Sequence, residues 1–152
     1  MSPPSPASDG HLRHNVLVVD DFDDTREAIV TLLQVKGFDA VGAKSGAKAL
    51  DYFQAGMRPC VVLMDVRMPD MDGWQVWERM KRHEELARTA VVILSGNEAD
   101  DKRARAVGIR EFLRKPMDGK SLVAAVERHC SRKPGFIPPR GGSTSGLSSA
   151  QF

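Results

Sequence analysis

Side chains that could bind a cation and a phosphoryl group follow short apolar segments of this sequence. Asp20 and Asp21 follow VLVV, Asp65 follows VVLM, Ser95 follows VVIL and Lys115 follows FLR. If these residues converge, three carboxylates share one cleft, and their mutual repulsion requires a positive partner. Oxygen ligands that leave room for water and phosphate suit Mg²⁺ better than zinc. The residue types therefore predict an acidic Mg²⁺ site with a hydroxyl and an ammonium group beside it.

The chemistry available to such a site is phosphoryl transfer to a carboxylate. A carboxylate can attack a phosphoryl group to form an acyl phosphate when metal, ammonium and hydroxyl donors neutralise the phosphoryl oxygens in an in-line geometry. Each residue alone has an ordinary structural explanation, since an aspartate at a strand end often caps a helix and a lysine before proline is usually a surface residue. All five at the ends of four predicted strands indicate a function.

The five residues can meet only if the apolar segments before them are neighbouring strands. Continuous apolar runs alternate with amphipathic segments, a pattern typical of a parallel sheet covered by helices on both faces. The predicted strands are Val16–Val19, Ala40–Ala43, Val61–Met64, Val91–Leu94 and Phe112–Leu113. The predicted helices are Thr25–Lys36, Ala47–Ala55, Trp74–Glu85, Ala99–Val107 and Ser121–Arg132. Left-handed C-terminal caps, which favour glycine, are predicted at Gly37, Gly56 and Gly108.

This alternation predicts the α/β class. Because crossover connections between parallel strands are right-handed, the (βα)5 pattern gives a doubly wound, open sheet of five parallel strands. Ligands of such sheets bind at the carboxyl ends of the strands, near the point where the strand order reverses. The residues immediately after each strand are therefore those that decide function.

Composition indicates one domain and excludes several classes of function. The chain has 152 residues, of which 41% are hydrophobic and 28% charged. Pro, Ser and Gly are abundant in residues 1–13 and 133–152, so we expect disordered tails around a folded core at residues 14–132. No apolar run approaches the roughly 20 residues of a membrane span, and no signal peptide is evident, so we expect a cytoplasmic protein without membrane insertion. The net charge of +2 comes from interleaved charges, which argues against direct nucleic-acid binding.

The two cysteines, Cys60 and Cys130, show neither a CxxC motif nor zinc-binding spacing. We therefore expect buried or inert thiols, without a disulfide framework or a metal cluster. The four histidines are scattered along the chain and are not assigned to a metal.

Four segments together resemble the signature segments of response-regulator receiver domains: VLVVDDFDDTR, VVLMDVRMPDMDGW, VVILSG and FLRKP. The resemblance covers about residues 14–132 and implies the flavodoxin-like receiver fold, in a single-domain protein similar to chemotaxis-type receivers. It implies that Asp65 is the phosphoacceptor, that Asp21 is a direct Mg²⁺ ligand and that Asp20 acts largely through water. Arg67 would offer its backbone carbonyl to the metal.

The same resemblance implies roles for three further positions. Ser95 would hydrogen-bond a phosphoryl oxygen, Lys115 would pair with the phosphoryl group, and Phe112 matches an aromatic switch position. Many members carry tyrosine at that position, and a phenyl ring can change rotamer but offers no hydroxyl to a partner. The Lys115–Pro116 peptide bond is cis in the resembled fold.

The resemblance also implies the partners. A sensor histidine kinase or a histidine phosphotransfer protein would supply the phosphoryl group, and a downstream target protein would bind a surface controlled by phosphorylation. The alternative within the family is a phosphorelay shuttle between histidine-containing proteins. Neither is an enzyme beyond self-catalysed phosphotransfer and dephosphorylation.

A rival hypothesis comes from DFDDT at residues 21–25, which fits the DxDxT nucleophile motif of haloacid-dehalogenase-type phosphohydrolases, with Asp21 as nucleophile. Those enzymes need a further acidic motif after the lysine, where this core has only Asp118 and Glu127. The hypothesis also leaves Asp65 without a role.

Overall fold

The computed structural model describes residues 15–130, so both predicted tails, 1–13 and 133–152, lie outside the described residues. The strands are β1 Val16–Val19, β2 Ala40–Ala43, β3 Val61–Asp65, β4 Ala90–Ser95 and β5 Glu111–Arg114. The helices are α1 Asp23–Val35, α2 Gly46–Gln54, α3 Gly73–Lys81, α4 Glu98–Ala106 and α5 Gly119–Glu127, with a short 3₁₀ helix at Leu86–Arg88. All five strands are parallel, in the order β2-β1-β3-β4-β5. The predicted doubly wound α/β fold is confirmed.

The strand order reverses at β1, which lies between β2 and β3. Val19 of β1 is opposite Met64 of β3. The next residue of each chain segment is an aspartate, so Asp20 and Asp65 reach the carboxyl edge of the sheet at the same level. This edge, at the reversal of strand order, is where ligands of doubly wound sheets bind.

Side chains along each strand alternate between the two faces of the sheet, and helices cover both faces. Leu17 and Val19 belong to the core under α2, α3 and α4, whereas Val16 and Val18 belong to the core under α1 and α5. All four side chains are completely buried. Burial on both faces explains why the strands appear in the sequence as continuous apolar runs.

Local capping sets where most helices begin and end. Asp72 and Gln75 form a reciprocal capping box at the start of α3, in which each side chain accepts the backbone N–H of the other residue, at 2.9 and 3.0 Å. Three other helices begin at a side-chain N-cap, provided by Ser45, Asn97 and Asp118. Positive φ angles are found at the predicted glycine caps Gly37, Gly56 and Gly108.

Two helices end several residues earlier than predicted, and the other three end one residue earlier. α3 ends at Lys81, where Glu85 was expected, and α5 ends at Glu127, where Arg132 was expected. After α3, backbone N–H groups bond carbonyls three residues back, which tightens the last turn, and the 3₁₀ helix then places Leu86 in the core. None of the described helices is long and apolar enough to cross a membrane.

Cys60 and Cys130 form a disulfide, so the expectation of two unpaired thiols is wrong. Cys60 precedes β3 and Cys130 follows α5, and their Cα atoms are 5.7 Å apart. Both sulfur atoms lie beside the backbone carbonyl of Asn15, just before β1. The two cysteines are 70 residues apart in the sequence. The packing of α5 against the sheet brings them together, and their spacing in the sequence does not reveal this.

Gly73, the first residue of α3, lies directly against the backbone that carries Asp65. A Cβ at Gly73 would be 2.7 Å from the carbonyl oxygen of Asp65 and 2.8 Å from the Cα of Val66. The Gly73 N–H also donates to the Val66 carbonyl at 3.2 Å. Because the obstructing atoms belong to the main chain, they cannot move aside by a rotamer change.

We therefore predict that Gly73→Ala lowers the free energy of unfolding by about 1–3 kcal/mol, the usual cost of overpacking. Urea unfolding followed by circular dichroism measures this change. Gly96→Ala is the matched control, since the nearest atom to its Cβ would be 3.7 Å away, and its stability should stay within about 0.5 kcal/mol of the unmodified protein. Equal stability of the two variants would contradict the close contact at Gly73.

Candidate functional site

Four of the predicted site residues lie at the carboxyl edge of the sheet, on four of its strands. Asp65 and Ser95 are the last residues of β3 and β4, and Asp20 and Lys115 directly follow β1 and β5. Asp20, Asp65 and Ser95 are buried. The parallel sheet thus places carboxylate, hydroxyl and ammonium groups along one edge, and it brings Asp20 and Lys115, 95 residues apart in the sequence, into contact.

Lys115 joins the two buried carboxylates. Its Nζ donates to Oδ2 of Asp20 at 3.1 Å and to Oδ2 of Asp65 at 3.3 Å. The other oxygen of Asp20 accepts the backbone N–H of Phe22 at 2.9 Å, and the backbone carbonyl of Asp20 accepts from Arg26 at 3.0 Å. Asp20 is therefore held through both its side chain and its main chain.

Burial and charge act in opposite directions on the site residues. Burial raises the pKa of Asp65, and the charge of Asp20 raises it further, while the Arg67 N–H and the Lys115 ammonium oppose the shift. For Lys115, burial by itself lowers the pKa, but the charges of Asp65 and Asp20 outweigh burial, so the pKa is raised. Lys115 consequently stays protonated and supplies the positive charge that the two carboxylates need.

Asp20, Asp21 and Asp65 form an acidic group suited to a divalent cation. Each offers one carboxylate oxygen, and these oxygens lie within 4.8 Å of one another. Asp21 is exposed, so solvent reaches the group from that side. All three ligands are oxygens, the donors that Mg²⁺ prefers, and access for water suits its reluctance to lose its hydration shell. The residues present fit this ion.

The backbone of Arg67 also lies against the acidic group. Its N–H donates to Oδ1 of Asp65 at 3.0 Å. Its side chain extends the other way, to Asp100 in the first turn of α4, with Nε 3.1 Å and Nη2 3.4 Å from the two carboxylate oxygens. Arg67 thus connects the end of β3 to α4.

Ser95 is buried and its hydroxyl donates to Oδ2 of Asp100 at 2.5 Å. The same hydroxyl accepts the backbone N–H of Asn97 at 3.1 Å. The sequence did not predict a role for Asp100, because the charged segment EADDKRARA is typical of a solvated helix. In the structure, Asp100 shares a face of α4 with Ala104, four residues later, and both are buried.

The remaining predicted positions lie around this group. Phe112 is half-buried in β5 and packs against the core under α2, α3 and α4. The Lys115–Pro116 peptide bond is cis. In the rival DxDxT motif, the second aspartate, Asp23, forms a 2.6 Å ion pair with Arg26 and is largely exposed, outside the acidic group.

Residues 16–127 match the family model described as the response regulator receiver domain. The chain belongs to this family. Protein PilG of Pseudomonas aeruginosa is 32% identical over 125 residues, covering 81% of this chain and 90% of PilG. Regulatory protein AtoC of Escherichia coli is 35% identical over 117 residues, which are 76% of this chain but 25% of AtoC. This receiver therefore corresponds to about a quarter of AtoC.

Solved structures show the same fold. Chemotaxis protein CheY4 of Vibrio cholerae superposes with a TM-score of 0.69 at 27% identity, covering 76% of this chain and 97% of that chain. A response regulator receiver protein from Pseudomonas putida gives a TM-score of 0.68 at 29% identity. The family match extends through Asp65, and Asp23 lies outside the acidic group, so the phosphohydrolase hypothesis is not supported.

The two adjacent aspartates of the receiver should differ in their effect on stability. Asp20→Ala leaves the Phe22 N–H and one Lys115 bond without an acceptor, so we predict a loss of about 1–3 kcal/mol. Asp21 is exposed, and Asp21→Ala should change stability by less than about 0.5 kcal/mol. Urea unfolding in the presence of a chelator separates the two. A larger loss for Asp21→Ala would contradict the structural role of Asp20.

Proposed function

We propose that this receiver accepts a phosphoryl group on Asp65 in a Mg²⁺-dependent reaction and signals through a protein-binding surface that phosphorylation remodels. The position of Asp65 carries the proposal. Its carboxylate belongs to the acidic group with Asp20 and Asp21, and it accepts from both the Lys115 ammonium and the Arg67 N–H. A nucleophilic carboxylate, cation ligands and an ammonium group are the parts that acyl phosphate formation needs.

In the proposed reaction, one oxygen of Asp65 forms a bond to phosphorus as the bond from phosphorus to the donor breaks. With a phosphohistidine donor, the leaving atom is an imidazole nitrogen. Asp20, Asp21, Asp65 and the backbone carbonyl of Arg67 would hold Mg²⁺, with Asp21 as a direct ligand and Asp20 acting largely through water. When bound, this ion neutralises charge on the phosphoryl oxygens. Lys115 would pair with the phosphoryl group, and its charge favours the ionised form of Asp65.

Ser95 and Phe112 would transmit the modification. The Ser95 hydroxyl moves toward a phosphoryl oxygen, and the Phe112 ring turns inward into the space that Ser95 leaves. The half-buried position of Phe112 on the strand beside Ser95 supports this coupling. The change reshapes the surface formed by α4, β5 and α5, because phosphorylation adds acceptors that a nearby hydroxyl satisfies only by moving.

A sensor histidine kinase or histidine phosphotransfer protein is the proposed donor, and a downstream protein is the proposed target. The second candidate is a phosphorelay shuttle, in which Asp65 passes the phosphoryl group on to another histidine. Transfer from the labelled receiver to a purified histidine phosphotransfer protein would favour the shuttle. Phosphorylation-dependent binding to a protein without such a histidine would favour the signalling receiver.

We predict that acetyl phosphate and Mg²⁺ give one acid-stable, base-labile phosphoryl group per chain, and that Asp65→Asn abolishes it. Intact-protein mass spectrometry measures the added phosphoryl group. Asp70→Asn is the matched control, since Asp70 is an exposed aspartate in the loop after β3 with a φ of 66° that asparagine tolerates. Full labelling of Asp65→Asn would refute the assignment, and labelling lost only in Asp21→Asn would favour the phosphohydrolase.

We further predict that Ser95→Ala is still phosphorylated but does not show the activated surface. Amide NMR with a stable phosphoryl mimic, beryllofluoride, should show shifts across α4, β5 and α5 in the unmodified protein. In Ser95→Ala, and likewise in Lys115→Ala, shifts should be confined to the neighbourhood of Asp65. A complete remote pattern in Ser95→Ala would mean that the coupling follows another route.

A further inference from the structure

We propose that Asp100 is a positioning residue that holds the Ser95 hydroxyl away from Asp65 and thereby sets the energetic cost of the phosphorylation switch. The inference rests on the proposed function, because it concerns the hydroxyl that would sense the phosphoryl group. Asp100 itself contacts neither the acidic group nor Lys115 in the recorded hydrogen bonds and ion pairs of residues 15–130.

Both oxygens of the Asp100 carboxylate are engaged. Oδ2 accepts from the Ser95 hydroxyl at 2.5 Å and from Arg67 Nε at 3.1 Å, and Oδ1 accepts from Arg67 Nη2 at 3.4 Å. Asp100 and Ser95 are only 6% and 2% exposed. The hydroxyl bond is therefore short, charge-assisted and shielded from water, which are the conditions that make a hydrogen bond strong.

A serine hydroxyl carries a single proton, so it can donate to one strong acceptor at a time. In the unphosphorylated receiver that acceptor is Asp100. A phosphoryl oxygen on Asp65 must compete for the same proton, and the bond to Asp100 is lost when it succeeds. The free energy of this bond therefore opposes the movement of Ser95.

The same carboxylate anchors α4. Of the nine residues in α4, only Asp100 and Ala104 are buried, so little apolar area holds the helix against the sheet. The link from Asp100 to Ser95 and Arg67 ties its first turn to the ends of β4 and β3. An element with few buried contacts opens at low cost, and loss of the Ser95 bond would remove the tie between α4 and β4, leaving the tie to β3 through Arg67.

Arg67 keeps Asp100 paired when Ser95 moves. Its side chain is 60% exposed, and it remains as a partner for Asp100 when Ser95 leaves. The buried carboxylate is consequently never without a cation, which avoids the large penalty of an unpaired buried charge. Moving Ser95 then costs the bond that its hydroxyl donates to Asp100, besides the Asn97 N–H bond that the same hydroxyl accepts.

The experiment measures beryllofluoride affinity by amide NMR titration at fixed Mg²⁺. Asp100→Ala frees the Ser95 hydroxyl, so we expect a roughly tenfold lower apparent dissociation constant, the effect of one hydrogen bond to a charged group. Asp100→Asn, which keeps the shape and a weaker acceptor, should give a change in the same direction of about two- to threefold. This second variant tests the proposal even if Asp100→Ala does not fold.

Removing a negative charge could itself favour an anion, so a charge-matched control is needed. Asp101→Asn loses the same charge from the next residue of α4, where Asp101 pairs with Arg105 and does not contact Ser95. Its affinity should remain within about twofold of the unmodified protein, a difference of about 0.4 kcal/mol. An equal gain in Asp101→Asn would overturn the proposal in favour of a general charge effect.

The decisive comparison repeats Asp100→Ala in a Ser95→Ala background. If Asp100 acts through the hydroxyl, the gain in affinity disappears there, whereas a purely structural effect of Asp100 would persist. A second signal is measured on Asp100→Ala without metal or mimic, with the mimic-bound unmodified protein as its reference. The Asn97 amide, which donates to Ser95 Oγ, should shift in Asp100→Ala toward its position in the mimic-bound unmodified protein.

The outcomes separate this inference from the proposed function. If the unmodified protein binds the mimic no better than Asp65→Asn does, the proposed phosphoacceptor fails. If it binds the mimic through Asp65 but Asp100→Ala leaves affinity unchanged, weakens it, or strengthens it equally in both backgrounds, the positioning role of Asp100 is wrong.

Discussion

Repulsion between the carboxylates that the parallel sheet brings to one edge is the constraint on which the site depends. Register places Asp20 and Asp65 at the same level, and neither can be solvated freely because both are buried. The surrounding structure responds with donors: the Lys115 ammonium and the backbone N–H groups of Phe22 and Arg67. The loops after β1, β3 and β5 are therefore shaped by the need to compensate negative charge as much as by packing.

The strands and most of the site could be predicted from the sequence because both follow from one rule. Strands buried on both faces must be continuously apolar, so the first polar residue after each run marks the carboxyl edge. Asp20, Asp65 and Ser95 are the first polar residues after their runs, and Lys115 is the second, after Arg114. This inference needs no knowledge of side-chain contacts, so it can be made from the sequence alone.

What could not be predicted depends on contacts between distant elements. α3 ends at Lys81 because the chain turns to bury Leu86 in the core. The helical periodicity of the sequence does not reveal this turn. Asp100 lies in a highly charged segment and becomes buried only when α4 is placed against β4. Helix propensity describes a segment by itself, whereas the end of α3 and the burial of Asp100 depend on how helices pack against the sheet.

The bond between Cys60 and Cys130 gives the fold a dependence on redox conditions that its phosphate chemistry does not have. It closes a loop of 70 residues between the start of β3 and the end of α5, and a closure of that size removes entropy from the unfolded chain worth about 4 kcal/mol. Reduction by thiols would return that entropy to the unfolded chain. The stability of the fold would therefore depend on the thiol–disulfide balance around the protein.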